Sequence, residues 1–429
     1  MNYRRIAGGE IPGGCQNRPT MPLDPRTLAQ ESAPDLKVWA PLRGGVFRAV
    51  WIAAVLSIGA IWMQDVGAGW LMKSLTGGDP LMVALVQAAT SLPILLLVVP
   101  AGTLGDLVDR RRFLLWALAW LVVCSGVLTL VSLQSIAPAW LLALTLASGI
   151  GKAMILPGFA AAGAELAQRS QLHHAVGLHS VANNAGRIVG PGIAGALVVS
   201  AGVPAVFGAT LASFALAFLL VTSVPQRRFA APSASASQGY VEALRAGLSH
   251  CWHDFMFRRV ALRSATFFLC AIGIHALLPL LVADAHWFGI GWAFYGVGAI
   301  AGALLFPRIA GATTPARQLT VGIAVHAIVL GALSYVRDPY LLTAALMVVG
   351  MAWYLVVSAG QLAVQRELPN ALRARGMGVF TMVMMAGFVA GALLWGTVAR
   401  ELGVGSTLRI IAATSLVGLA ATFRLALTR

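Results

Sequence analysis

Three ionisable side chains lie inside long apolar stretches of this sequence. Asp65, Lys152 and Arg187 are each flanked mainly by aliphatic and small residues. A charged group is costly in such surroundings, so these residues are candidates for binding substrate or carrying protons. Lys152 would suit an anionic substrate or could titrate, and Asp65 could accept a proton or bind a cation. Each also has a structural interpretation: Lys152 as the partner of a carboxylate, Asp65 as a cap near the membrane surface, and Arg187 as a donor to backbone carbonyls.

Neutral polar residues form a weaker set of candidates. Gln64, Asn184 and Gln361 lie in or at the ends of apolar stretches. An amide in such a position either contacts a substrate or hydrogen-bonds a neighbouring helix, and a single amide more often does the second.

A cluster of charges separates the second apolar stretch from the third. It reads Pro100-Ala-Gly-Thr-Leu-Gly-Asp-Leu-Val-Asp-Arg-Arg-Arg-Phe-Leu114. Glycines allow a turn to pack closely against another helix, and Asp106 and Asp109 are within reach of the arginines that follow. A simple positive anchor would need arginines alone, so this turn has a further role. Its candidate residues are Gly102, Leu104, Asp106, Asp109, Arg110 and Arg111.

A second motif lies in the fifth apolar stretch, at Gly186, Gly190, Pro191 and Gly195. Proline removes a backbone donor, and the surrounding small residues permit close packing and bending against a neighbour. This pattern predicts a helix that bends at the contact between two halves of the molecule. The alternative is that the glycines only allow tight packing.

No group of residues indicates an enzyme. The sequence has no glycine-rich phosphate loop with Lys and Ser or Thr, and no nucleophile with a base at a recognisable spacing. The four cysteines are scattered without the spacing of metal ligands, so neither a metal site nor disulfides are expected. We predict no cofactor.

The composition shows what must position these candidates. Of 429 residues, 59% are hydrophobic and only 10% are charged, whereas soluble domains carry roughly a quarter charged residues. Apolar runs that cross a bilayer core of ~30 Å must be helical, so the sequence predicts an all-α membrane protein with twelve transmembrane helices. The predicted spans are 47–70, 80–104, 112–133, 138–162, 175–201, 203–224, 260–282, 288–308, 319–336, 340–364, 376–398 and 406–426.

The spans divide into two sets of six. Glycine spacings in the fifth span recur in the eleventh, at Gly387, Gly391 and Gly396. This repeat predicts two pseudo-symmetric halves related by an axis normal to the membrane. The predicted units are a disordered cytoplasmic tail at 1–46, a first half at 47–225, a cytoplasmic linker at 226–259, and a second half at 260–429. The linker holds either an interfacial helix or a solvated connector. Met21 is an alternative start.

Basic residues orient the spans. Most of the 30 basic residues fall on the side that holds both termini, and only Lys73, Arg337, Arg400 and Arg409 fall on the other. The positive-inside rule therefore predicts that both termini are cytoplasmic. The formal charge of +15 is a topology signal, because the basic residues form no stripe interleaved with aromatics. No nucleic-acid partner is expected.

The charge cluster resembles the loop signature of the major facilitator superfamily, Gly-x-Leu-x-Asp-Arg-x-Gly-Arg-Arg/Lys. Asp106-Leu-Val-Asp-Arg-Arg111 is similar to the Asp-Arg-x-Asp-Arg-Arg variant of its enterobactin-exporter and transmembrane-secretion-effector branch. Segments that begin at Gly59, Asn184 and Arg373 are similar to further elements of that branch. Together the similar segments cover about residues 40 to 427.

The resemblance implies a monomeric secondary-active transporter in the bacterial inner membrane. It would export a small amphipathic molecule, such as a siderophore, drug or metabolite, by alternating access, with protons as the simplest coupling ion. It also implies that the charge cluster gates this movement and that the Gly-Pro element seals or gates the contact between halves. Uptake, and a non-transporting receptor or scaffold, remain alternatives.

Two departures from the family pattern bear on coupling. Thr145 stands where many proton antiporters carry an embedded arginine, so proton relay at that position is not available. Phe306 replaces the acid of the loop motif in the second half, so only the first half keeps the full charge cluster.

Overall fold

The computed structural model describes residues 39–134, 136–229, 255–367 and 373–424. Apart from three short 3-10 turns, their regular structure is α-helical, which confirms the predicted fold class. The helices α1 to α11 are, in chain order, Gly45–Leu75, Pro80–Leu107, Arg110–Ser132, Pro138–Leu166, Leu172–Thr222, Phe255–Leu281, Ala285–Ala312, Pro315–Leu333, Pro339–Glu367, Arg373–Leu402 and Val404–Arg424.

Eleven described helices are long and apolar enough to cross a membrane, and one of them carries two of the predicted spans. Helix α5 has 51 residues, and at 1.5 Å per residue it would be about 77 Å long if straight, more than twice a bilayer core. Gly202 interrupts it with φ 77° and ψ 179°, a conformation that favours glycine. The limbs 172–201 and 203–222 therefore match the fifth and sixth predicted spans.

Side-chain caps begin corresponding helices in the two halves. Asp79 accepts hydrogen bonds from the backbone N–H groups of residues 81 and 82 at the start of α2, at 2.8 and 3.2 Å. Asp284 caps α7 in the same way, 3.0 Å from the backbone nitrogen of Trp287. Asp109 and Thr314 cap α3 and α8. These caps satisfy backbone donors at the helix N-termini.

Glycines bring α5 into close contact with α1. A Cβ atom on Gly186 would lie 2.6 Å from Ile58 Cγ2, and one on Gly190 would lie 2.5 Å from the Gly59 carbonyl oxygen. Such distances are too short for any side chain. The backbones of these two helices can approach only because the residues are glycine.

The same packing recurs between α10 and α6. A Cβ atom on Gly387 would lie 2.8 Å from Phe268 Cβ, and one on Gly391 would meet the backbone of Leu269. The repeated glycine intervals of the sequence therefore correspond to one helix–helix contact that is present in both six-helix halves.

The third glycine of each set packs between the halves. Gly195 of α5 meets Gly289 of α7, and a Cβ atom on Gly396 of α10 would lie 2.7 Å from Ala84 Cβ on α2. Lys73 Nζ, at the end of α1, donates a 2.9 Å hydrogen bond to the carbonyl oxygen of residue 282, just after α6. These contacts close the bundle at the end that holds the α1–α2 turn.

Parts of the predicted organisation lie outside the described residues. They include most of the tail, residues 230–254 of the linker and the predicted interfacial helix. The unit boundaries at 47, 226 and 260 therefore stay predictions.

Candidate functional site

A cavity of about 850 Å³ lies between the two halves. Its wall is formed by α1 to α5 on one side and by α6, α9 and α10 on the other. It extends from Asp65 to Gly105 and Arg110 at the α2–α3 turn and to Met377 near the start of α10. The cavity therefore reaches the end of the bundle that carries the charge cluster, opposite the closed end.

Asp65 and Lys152 form a buried ion pair in the first half. Lys152 Nζ lies 2.7 Å from Asp65 Oδ1, which also accepts a 3.1 Å hydrogen bond from the Thr90 hydroxyl. Lys152 is 0% exposed and Asp65 is 8% exposed. Asp65 lines the cavity and Lys152 lies behind it. The ion pair joins α1 to α4, and the hydrogen bond from Thr90 adds α2. Each of the two charges needs the other in this low-dielectric site.

The glycines beside Lys152 serve helix packing. A Cβ atom on Gly149 would lie 2.8 Å from Pro93 Cγ, and one on Gly151 would lie 2.7 Å from Leu121 Cγ. The space beside these two glycines is filled by side chains of α2 and α3. Thr145 precedes Lys152 by about two helical turns, so the two residues share a helix face. Lys152 thus supplies a buried cation on the same face of α4 as Thr145.

Arg187 lies in the cavity wall on α5. Its guanidinium carbon is 5.5 Å from the centroid of the Trp62 ring, a cation–π distance. Its Nε and Nη1 atoms are buried and have no hydrogen-bond partner among the described residues. Within the described part of the chain, these two atoms therefore do not donate to backbone carbonyls, which was the structural role that the sequence suggested for Arg187.

The three amide candidates separate into two groups. Asn184 and Gln361 line the cavity from opposite halves. Gln64 is fully buried outside the cavity wall, and neither of its amide atoms has a hydrogen-bond partner among the described residues. Adjacent helical residues point about 100° apart, which explains why Asp65 faces the cavity and Gln64 does not.

The charge cluster forms contacts within the first half. Asp109 caps α3 and accepts a 3.0 Å hydrogen bond from Gln226 Nε2. Arg110 Nε lies 2.8 Å from Glu165 Oε1, and Arg111 Nη2 donates a 2.7 Å bond to the Thr222 carbonyl oxygen.

Gly102 and Leu104 lie at the open end of the bundle. A Cβ atom on Gly102 would meet nothing within 4 Å, and Leu104 is exposed. In this conformation Gly102 therefore lines the cavity and makes no close helix contact. The side chain of Asp106 lies outside what the structure describes.

The second half supplies wall residues that the sequence interpretation did not select. His275 and Trp353 line the cavity, and their rings are 4.6 Å apart. Met377, Met384 and Phe388 line it along one face of α10. The helical spacing of these three α10 residues could have indicated a shared face, but the same spacing occurs in any apolar span. Trp62 of α1 lies in the cavity wall as well.

The profile of the transmembrane secretion effector family matches residues 36–429. The chain belongs to this family of the major facilitator superfamily. The "Multidrug efflux pump Tap" of Mycolicibacterium fortuitum is 23% identical over 364 residues, which are 79% of this chain and 85% of that protein. The "Staphyloferrin A transporter" of Staphylococcus aureus is 24% identical over 262 residues, 58% of this chain and 63% of that protein.

Solved structures show the same fold as this family member. A bacterial homologue of the human lysosomal transporter Spinster, described as inward-facing and occupied, superposes with a TM-score of 0.71 at 13% identity. The superposition covers 91% of this chain and 98% of that one. Membership of the family, which profile similarity over residues 36–429 establishes, makes the chain a multi-pass membrane transporter of the major facilitator superfamily and not an enzyme.

Proposed function

We propose that the protein is a proton-coupled exporter of a small amphipathic molecule across the bacterial inner membrane. The observation that carries this proposal is the cavity between the halves, which is closed at one end and reaches the other. A site between two pseudo-symmetric halves is the arrangement that alternating access requires. With both termini cytoplasmic, as the distribution of basic residues predicts, the cavity faces the cytoplasm, where an exporter loads its substrate.

The wall supports an amphipathic substrate. Methionine and aromatic side chains of the second half offer apolar surface, while Asn184, Arg187 and Gln361 offer polar contacts. Flexible methionines adapt to different apolar shapes. The curated relatives are named for multidrug efflux and for staphyloferrin A transport, which agrees with export of a drug-like or siderophore-like molecule.

The Asp65–Lys152 pair is the proposed site of proton coupling. Asp65 borders the cavity, so a proton can reach it through the open end. Protonation would neutralise the carboxylate and leave Lys152 as an unpaired buried cation, which is costly. The helices α1, α2 and α4 would then favour a different packing. Proton uptake and helix movement are thereby linked through one ion pair.

A metabolite comparison tests this function. Cells with and without the protein are compared for retained small molecules, and the comparison is repeated after a protonophore collapses the proton gradient. We expect one or more amphipathic compounds to accumulate in cells lacking the protein, and the difference to vanish without the gradient. Lower retention in cells lacking the protein would indicate uptake. Identical profiles would favour a non-transporting role.

A further inference from the structure

Arg187 differs from Asp65 and Arg110, the other charged residues of the described cavity wall, because it has no ion-pair partner there. Asp65 is paired with Lys152, and Arg110 is paired with Glu165. Arg187 has no carboxylate within ion-pair distance among the described residues. The described part of the wall therefore carries one positive charge that no protein group neutralises.

Other hydrogen-bond donors lie in the second half, in the cavity wall or next to it. His275 of α6 and Trp353 of α9 line the same cavity as Arg187, and Tyr295 of α7 lies next to His275 outside the wall. The Tyr295 hydroxyl and the Trp353 indole nitrogen are buried without a hydrogen-bond partner among the described residues. The rings of Tyr295 and Trp353 both contact the His275 ring, at 5.2 and 4.6 Å.

These groups share one chemical requirement. Arginine and the indole N–H can only donate hydrogen bonds, and a tyrosine hydroxyl donates readily to an anion. A cation or a donor-rich molecule would leave their donors without acceptors, which is unfavourable in a desolvated site. A carboxylate or similar oxyanion offers several acceptor lone pairs and the opposite charge.

We propose that the transported molecule is an amphipathic organic anion whose oxyanion binds Arg187 of the first half, beside the donor groups of the second. The inference rests on the proposed function, because it names the substrate class of the same cavity. The apolar part of the molecule packs on the face of α10 that carries Met377, Met384 and Phe388. The anion thus bridges the halves, so its binding changes the relative stability of their arrangements.

Binding of matched acids and amides to the purified protein tests this proposal. The protein is placed in phosphatidylcholine nanodiscs, which carry no net lipid charge, and studied by isothermal titration calorimetry against empty nanodiscs. The probes are 2-naphthoate, indole-3-acetate and 4-phenylbutyrate, each paired with its neutral amide. We expect at least one acid to bind about tenfold or more tightly than its amide. A panel with no acid preference overturns the proposal.

Three variants test whether Arg187 is responsible for the preference for acids over amides. In Arg187→Gln the acid should bind no more tightly than the amide, whereas Arg187→Lys, which keeps the charge but loses the planar fork, should retain part of the difference. Arg409→Gln is the matched control, since Arg409 lies over Tyr335 away from the cavity. An acid preference that survives in Arg187→Gln overturns the proposal, and unchanged amide binding shows that this variant is folded.

These measurements need no proton gradient, so they are independent of the proposed function. If the wild-type protein shows gradient-dependent export but binds acids no more tightly than amides, the anion site alone is contradicted. An intact acid preference without any gradient-dependent export would contradict the transport proposal and leave the anion site in place.

Discussion

At the scale of single residues, burial makes Asp65 and Lys152 depend on each other. Each side chain lies in a site where an isolated charge is unfavourable, and the 2.7 Å contact between them compensates both. Removing one partner from such a pair typically costs about 3–5 kcal/mol, because the other charge stays buried.

We predict that Asp65→Asn lowers the thermal unfolding temperature of the detergent-solubilised protein and abolishes gradient-driven export. Asparagine keeps the shape of the side chain but cannot neutralise Lys152 or carry a proton. Intrinsic tryptophan fluorescence during heating measures the first effect, and export from loaded cells measures the second.

The double variant Asp65→Asn/Lys152→Met separates these two effects. It removes both charges, so the unfolding temperature should return toward that of the wild type while gradient-driven export stays absent. Recovery of export would show that the pair is structural only. A single variant as stable as the wild type would contradict the account of mutual compensation.

The sequence identified both members of this pair as candidates but not their contact. They are separated by 87 residues, and no local pattern connects a position on α1 with one on α4. Burial in an apolar stretch was readable from the sequence; the partner depends on how the helices pack. For the same reason Gln64, adjacent to Asp65, could not be distinguished from a residue that faces the cavity.

At the scale of helices, glycine positions determine which pairs come close. On α5, Gly186 meets the α1 backbone, whereas Gly177 has nothing within 4 Å of a Cβ atom. We predict that Gly186→Ala destabilises the protein by about 1–3 kcal/mol through overpacking, while Gly177→Ala, on the same helix, does not. Thermal unfolding of both variants checks this difference. Equal unfolding temperatures would mean that α1 and α5 can move apart at no cost.

The spacing of these glycines was readable from the sequence, but their partners were not. The prediction that α5 bends at Gly190-Pro191 is not tested by one conformation, in which Gly202 is the residue with non-helical angles inside this helix. The repeat in α10 predicted a symmetric role, and the contact of α10 with α6 gives that role a physical basis.

The empty space beside Gly102 allows a test of whether the open end of the bundle closes during transport. If the open end closes during transport, the end of α2 must approach the second half, and a side chain at Gly102 would obstruct it. We expect Gly102→Leu to leave the unfolding temperature near that of the wild type but to reduce export at least about tenfold. Raising the free energy of the closed state by about 1.4 kcal/mol is enough to lower its population tenfold.

Gly163→Leu is the control for Gly102→Leu. Gly163 also has nothing within 4 Å of a Cβ atom, but it does not line the cavity. Export in this variant should equal that of the wild type. Normal export by Gly102→Leu would contradict a role for this glycine in closure.

At the scale of the whole molecule, two six-helix halves meet tightly at one end and enclose a cavity that reaches the other. Composition, charge distribution and glycine spacing were sufficient to predict twelve spans in two halves. The cavity itself could not be predicted, since its wall combines residues from eight helices. A cavity that is closed at one end and open at the other is the shape that alternating access requires.

Double electron–electron resonance between spin labels at both ends of the bundle tests alternating access. In a cysteine-free background, labels at residues 104 and 366 report the open end, and labels at residues 74 and 286 report the closed end; all four side chains are exposed. Lowering the pH should shorten the first distance and lengthen the second in the wild type, but not in Asp65→Asn. Distances that stay fixed in the wild type, or change in the same direction, would contradict alternating access.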